Sequence, residues 1–153
     1  MSYDEKTGAL TVQAYLSEGD GRRVIGKVRE HTLATDIYAA WGGGDTAATP
    51  LETLAFALGS CVVTTARTMA NKAGLPVSSI SARVEGAIDL AGAMRPGSGI
   101  RMGFPALSVI IDIEGDLSDD AKQALLDRVS ACCPVCDTIG RGADVALVLK
   151  GKE

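Results

Sequence analysis

The stretch that opens at Thr49-Pro50-Leu51-Glu52 constrains this fold more than any other. Thr49 can cap a helix, Pro50 suits its first position, and Glu52 completes a capping box. Leu51, Leu54, Ala55, Leu58, Cys61, Val62, Thr65 and Met69 then recur at helical spacing on one broad face. Ala57, Gly59, Ser60 and Val63 leave the opposite side almost without polarity until Arg67 and Lys72, and Gly74-Leu75-Pro76 ends the run. A helix apolar nearly all round must be central and buried, or covered by a partner subunit.

The flanking segments predict what surrounds it. Leu10, Val12, Ala14 and Leu16 alternate with polar neighbours, Glu18-Gly19-Asp20-Gly21 reads as a turn, and Val24–Val28 and 31–38 read as extended. Trp41-Gly42-Gly43-Gly44-Asp45 is expected to be a flexible hinge or lid loop. It lacks the following Gly-Lys-Ser/Thr of a phosphate cradle. After the helix, residues 79–90 and 102–114 form a long hairpin across the Gly/Pro-rich 92–99, with Pro105 at a bulge or edge. Ser118-Asp119-Asp120-Ala121 opens a second helix whose stripe of Ala121, Leu125 and Val129 points on to Cys132. Pro134 interrupts it and can start a short helix, 140–142 turns, and 145–149 reads as a terminal strand. The expected fold is one α+β domain over residues 1–153, with a β-rich start, two substantial helices and a long hairpin between them.

Composition narrows function. Of 153 residues 46% are hydrophobic but only 4% aromatic, so the core must be aliphatic. A net charge of -4 without a basic block argues against nucleic acid as a partner. The polar N-terminus shows no signal-peptide pattern, and no run is expected to reach the roughly twenty uncharged residues of a membrane span. The default is a soluble, cytoplasmic protein with no membrane partner. In a reducing compartment its four cysteines then point to catalysis, metal or packing before a disulfide framework.

Cys61, in mid-helix, gains little from a helix terminus, and burial would hold its thiol protonated. Its bland reading is a small apolar residue; reactivity would require a cation, preferably arginine, and Arg22, Arg23 and Arg29 are the N-terminal choices. Cys133 differs: with Pro134 as first helical residue it stands at the cap, where helix N–H groups favour a thiolate, and Cys136 lies one turn in. Cys133-Pro134-Val135-Cys136 has dithiol spacing without the βαβ setting of a thioredoxin. Cys61, Cys132, Cys133 and Cys136 together would make a four-thiolate zinc set, although structural zinc more often pairs two such units. The lone His31 has no local sign of a Cys–His hydrolase and reads as a packing or surface residue.

Taken together, residues 31–36, Gly43-Gly44-Asp45, Thr49-Pro50-Leu51-Glu52-Thr53-Leu54 and Ala57-Leu58-Gly59-Ser60-Cys61, with the later Cys133-Pro134-Val135, resemble the OsmC/Ohr family of osmotically inducible and organic-hydroperoxide-resistance proteins. The likeness runs from about residue 29 to the C-terminus and fits an OsmC-like branch. It implies an intertwined homodimer and a cysteine peroxidase acting on small organic hydroperoxides. Cys61 would attack the O–O bond and become a sulfenic acid, and Cys133 would resolve it as a disulfide. A dithiol reductant, such as a lipoyl protein, would recycle the pair, with no metal or organic cofactor. Arg29 is the first choice for the activating arginine, with Arg23 second. The peroxidase branch has a glutamate directly after the proline, where Leu51 stands here; Glu52 follows one place later. Cys136 is an added thiol that could divert the disulfide to Cys133–Cys136. The alternative is a non-catalytic stress or ligand-binding protein with an apolar pocket at the dimer interface.

Overall fold

The computed structural model describes residues 2–95 and 97–151. They fall into two compact units, Met1–Leu54 and Ala55–Glu153.

In the first unit a small antiparallel pair, β1 (Ser2–Tyr3) with β2 (Leu10–Thr11), precedes an antiparallel sheet β3-β4-β5 of Tyr15–Glu18, Val24–Val28 and His31–Thr35. The alternation from Leu10 to Leu16 is thus divided, because β2 pairs with β1 while β3 pairs with β4. A two-residue corner at Arg29-Glu30 joins β4 to β5, and Arg29 takes a left-handed backbone, φ 57°. That region favours glycine. No large apolar side chain described in this unit is buried: Leu10, Tyr15, Leu16 and Leu33 are all more than half exposed.

What the unit buries is polar. Residues 31–38 do not stay extended, because Asp36 leaves the ladder to hold the glycine loop. Its carboxylate accepts hydrogen bonds from the N–H of Ile37 (2.8 Å), Gly44 (3.3 Å) and Thr46 (3.0 Å), and from the Thr46 hydroxyl (2.7 Å). A Cβ on Gly43 would lie 1.8 Å from the Ile37 oxygen, so glycine is required there by close backbone approach. The expectation of a flexible hinge is corrected: the loop is pinned by Asp36, which is 2% exposed.

Helix α1 (Pro50–Lys72) starts as its sequence predicts. Glu52 N–H donates to Thr49 Oγ1 (3.3 Å), and Thr49 N–H donates to Glu52 Oε2 (2.7 Å), the reciprocal capping box. By length and composition α1 could cross a membrane, contrary to the expectation that no run reaches that size. Leu58, Val62, Ala66 and Ala70, however, form a buried stripe on it. Gly74, at φ 63°, ends the helix, with Leu75 N–H returning to the Ala70 oxygen (3.0 Å).

The second unit builds the apolar core. Strands β6 (Val77–Glu85) and β7 (Ser108–Gly115) pair antiparallel and turn Ile80, Val84, Val109, Ile111 and Ile113 toward it. Both strands are shorter than expected. Leu90 precedes a short helix α2 (Ala91–Met94), and Pro105 lies before β7, outside the ladder. The register irregularity falls instead between Val77 and Ser79. There the Arg67 guanidinium donates to the Val77 and Ser78 oxygens (2.7 and 3.2 Å), satisfying carbonyls the bulge takes from the ladder.

Helix α3 (Asp119–Cys132) is capped by Ser118 and buries Leu125 and Val129; α4 (Pro134–Arg141) follows after the single residue Cys133. Residues 145–149 form no strand, and Leu147 is 96% exposed. The β-propensity is there, but among the described residues, 145–149 pair with no strand.

Candidate thiol site

The site grows from the α3–α4 junction. Pro134 cannot donate an N–H, so α3 stops and a new helix begins with Cys133 between them, φ -79°, ψ 110°. Its N–H still donates to the Val129 oxygen (2.9 Å), while its own oxygen accepts from Asp137 N–H (3.0 Å). Backbone bonds on both sides therefore fix where its sulfur points. That sulfur, 1% exposed with its residue, caps α4 by accepting from Cys136 N–H at 3.4 Å.

The second element is α1. Cys61 and Cys136 both pack, half-buried, against the core that contains Cys133. Cys133 Sγ is where these groups converge: Cys136 N–H donates to it, and the Cys136 and Cys61 thiols and Val135 N–H lie close enough to favour its ionised form. The sequence-predicted pair Cys61 and Cys133 is brought together from distant parts of the chain, and the thiols are free. Cys132, next door, is exposed. Among the described residues no group of three His, Cys, Asp or Glu side chains is arranged to hold a metal ion.

The electrostatics divide the three thiols. Burial pushes the Cys133 thiol up, but donors from Cys136, Cys61 and Val135 outweigh it, and the group ends below the ordinary thiol range. Burial also pushes Cys61 up. Val135 N–H and the Thr65 hydroxyl oppose this, the Cys133 sulfur reinforces it, and the net shift is upward. Cys136 is pushed up to about 12, first by burial and then by the Cys133 sulfur beside it. Of the three thiols Cys133 is thus the most readily ionised, while Cys61 and Cys136 are held toward their protonated forms. No arginine contributes to the shift of Cys61 among the described residues.

The other two predicted site residues belong to the first unit or to the start of α1. Arg29 stands at the β4–β5 corner with its guanidinium 3.9 Å from Glu30. Arg22 and Arg23 lie in the turn between β3 and β4. His31 is an exposed residue 3.3 Å from Glu30. Glu52 has both oxygens engaged: Tyr38 OH donates to Oε1 and Thr49 N–H to Oε2. These donors, Tyr38 first, hold its carboxyl below the usual range. Tyr38 and Trp41 also meet edge to face at 5.1 Å. Sequence reasoning missed Tyr38, for which no local pattern exists. It also missed Thr65, which the four-residue helical spacing from Cys61 does offer.

The profile of the OsmC-like protein family matches residues 42–148, well over half the chain and including all four cysteines. The chain belongs to the OsmC-like family. No curated protein matches it in sequence. Solved structures share its fold at low identity. An organic hydroperoxide resistance protein OsmC from Legionella pneumophila is 20% identical, with TM-score 0.65 over 85% of this chain and 89% of that one. An OsmC-like protein from Mycoplasma pneumoniae is 20% identical, with TM-score 0.69 over 92% and 88%. The Organic Hydroperoxide Resistance Protein OhrB of Bacillus subtilis is 19% identical, with TM-score 0.58 over 87% and 93%. These likenesses bear on architecture, and the α+β OsmC-like fold is established by them together with the family match. For an OsmC-like protein, the pairing of a thiol on α1 with one at the α4 cap is the feature that bears on chemistry.

Proposed function

We propose that this OsmC-like protein is a cysteine-dependent peroxidase of small organic hydroperoxides, working as a homodimer in the cytoplasm. The observation that carries the reading is that Cys61 on α1 and Cys133 at the α4 cap pack in one cluster, each shifting the other's thiol. A hydroperoxide accepts the Cys61 sulfur at its terminal oxygen, the O–O bond breaks, and an alcohol leaves once protonated. Cys133, the most readily ionised of the three thiols, then attacks the Cys61 sulfenic acid, whose hydroxyl leaves as water with the proton that Cys133 gives up. A dithiol, of which a lipoyl protein is one example, reduces the disulfide.

In the first step the Cys61 proton ends on the departing alkoxide, which leaves as the alcohol. Arg29 remains the proposed cation that would stabilise the Cys61 thiolate, and Glu52 the proposed carboxylate of the site. Support for a dimer comes from an open apolar groove between α1 and β6. Ala55, Phe56, Gly59, Ser60 and Val63 line an open groove of about 510 Å³ with Ala82 and Val84, and Phe56 is 74% exposed. Small residues at that spacing let a second helix approach closely, and burying such a face is favourable.

The same groove, with the raised Cys61 thiol, supports a second reading: a non-catalytic protein that binds an apolar ligand. Cumene hydroperoxide consumption with dihydrolipoamide as reductant separates the two. Cys61→Ser is expected to lower turnover at least about 100-fold, as removal of one member of a catalytic unit does. Unchanged turnover would remove the peroxidase reading, and wild-type protein that loses no free thiols to hydroperoxide would favour ligand binding.

A further inference from the structure

We infer that Cys136 is a third redox residue, which takes over the disulfide from Cys61 so that the oxidised protein rests as Cys133–Cys136. The inference rests on the peroxidase reading for the step that first oxidises Cys61, but not for the final pairing.

Three observations carry it. First, Cys133 is flanked by two thiols, Cys61 from α1 and Cys136 from its own helix, and both pack against the same core. Second, Cys133 is the N-cap of α4 and Cys136 lies in its first turn, with the Cys136 N–H already 3.4 Å from the Cys133 sulfur. Helix geometry puts their Cα atoms about 5 Å apart, inside the span a disulfide bridges without backbone movement. Third, α4 is an eight-residue helix held to α3 through a single residue, so Cys133 and Cys136 move as one body while Cys61 belongs to another helix. A bridge within α4 therefore places no constraint between helices, whereas Cys61–Cys133 ties α1 to the α3–α4 junction.

The exchange balances without a further oxidant. Hydroperoxide oxidises Cys61 to the sulfenic acid and leaves as the alcohol; Cys133 then displaces the sulfenic hydroxyl, which takes the Cys133 proton and departs as water, giving Cys61–Cys133. The Cys136 sulfur then attacks the Cys133 sulfur, the Cys61–Cys133 bond breaks, and the proton given up by Cys136 ends on the departing Cys61. Electrons are redistributed among sulfurs with no net oxidation. In the reduced site burial first, and then the neighbouring Cys133 sulfur, hold Cys136 protonated. The contribution of Cys133 ends once that sulfur is in a disulfide, which eases ionisation of the attacking thiol. The relay returns Cys61 reduced and leaves the external dithiol to act on Cys133–Cys136, a bridge at a helix start.

Wild-type protein treated with one equivalent of cumene hydroperoxide, alkylated and mapped by peptide mass spectrometry should show Cys133–Cys136 as its main bridge, with Cys61 alkylated. Cys136→Ser should stop at Cys61–Cys133, and Cys61→Ser should form no bridge. Wild-type protein that rests at Cys61–Cys133 overturns the relay, as does a Cys61→Ser protein that still forms Cys133–Cys136 under hydroperoxide. Equilibration with oxidised and reduced dithiothreitol keeps this apart from the peroxidase reading. If hydroperoxide oxidises nothing, that reading fails, while Cys133–Cys136 in the dithiothreitol mixture still upholds the pairing. Cys61–Cys133, or no intrachain bridge, in that mixture overturns it.

Discussion

Two helix starts in this chain use the same device with different atoms. At Thr49 the cap is a hydroxyl and Glu52 answers it, with proline at the first position and a buried cap residue. At Cys133 the cap is a sulfur, again before a proline and again buried, with Asp137 in the first turn. Sulfur is a weak acceptor and a poor choice where only helix stability matters, because oxygen caps bind N–H groups more tightly. The start at Thr49 therefore serves the fold. The start at Cys133 gives up cap strength to place a thiol where helix N–H groups and two neighbouring thiols favour its charged form.

Exchanging the two kinds of cap should break that symmetry most visibly. Cys133→Ser replaces a weak cap by a strong one and removes the resolving sulfur. Hydroperoxide turnover with a dithiol is expected to fall at least about 100-fold, while the thermal midpoint stays level or rises. A Cys133→Ser protein that melts much earlier would mean that the sulfur is chiefly a packing group, and the contrast between the two starts would collapse.

Much of this contrast was legible in the sequence. Thr49-Pro50-Leu51-Glu52 and Cys133-Pro134 announce helix starts through local rules, because capping is a matter of a few adjacent residues. The alternation of Val109, Ile111 and Ile113 likewise fixed which face of β7 meets the core. Other features depend on partners far along the chain. Nothing beside Asp36 says that it will collect donors from Gly44 and Thr46, so three glycines resembled a hinge although close packing requires one of them. Residues 145–149 have strand propensity, yet a strand exists only where an edge accepts it. At the site, the sequence placed Cys133 at its cap and Cys136 one turn on. It could not show that Cys61 would pack in one cluster with Cys133, which is a matter of packing between helices.

Titration sharpens the comparison in a second way. Cys133 lies below its ordinary range and Cys61 and Cys136 above theirs. Ultraviolet thiolate absorbance of the reduced protein should therefore show one buried thiol ionising before the unperturbed value of about 8.5, and Cys133→Ser should abolish that early phase. The stability consequence has a definite sign for Cys136, pushed up to about 12. Above about pH 8.5 its thiol ionises in the unfolded chain but stays protonated in the fold, so folding stability falls as pH rises from there toward 12. Cys136→Ser should flatten part of that decline in a pH series of urea melts. A decline that is just as steep in the variant would place the Cys136 proton wrongly.

The smallest effect belongs to the conventional start. Thr49→Ala leaves the part-buried Glu52 N–H without its side-chain acceptor, and the Glu52 carboxylate keeps only the Thr49 backbone N–H and Tyr38 OH. Loss of a hydroxyl cap costs about 1 kcal/mol, so the urea midpoint should drop modestly, and Thr49→Ser should restore it. The thiols should not register the change: the early ionising phase and the identity of the oxidised bridge should match wild type. A cap change at Thr49 that altered the thiol titration would show that the two helix starts are energetically coupled, and the division between a start that serves the fold and one that serves chemistry would have to be given up.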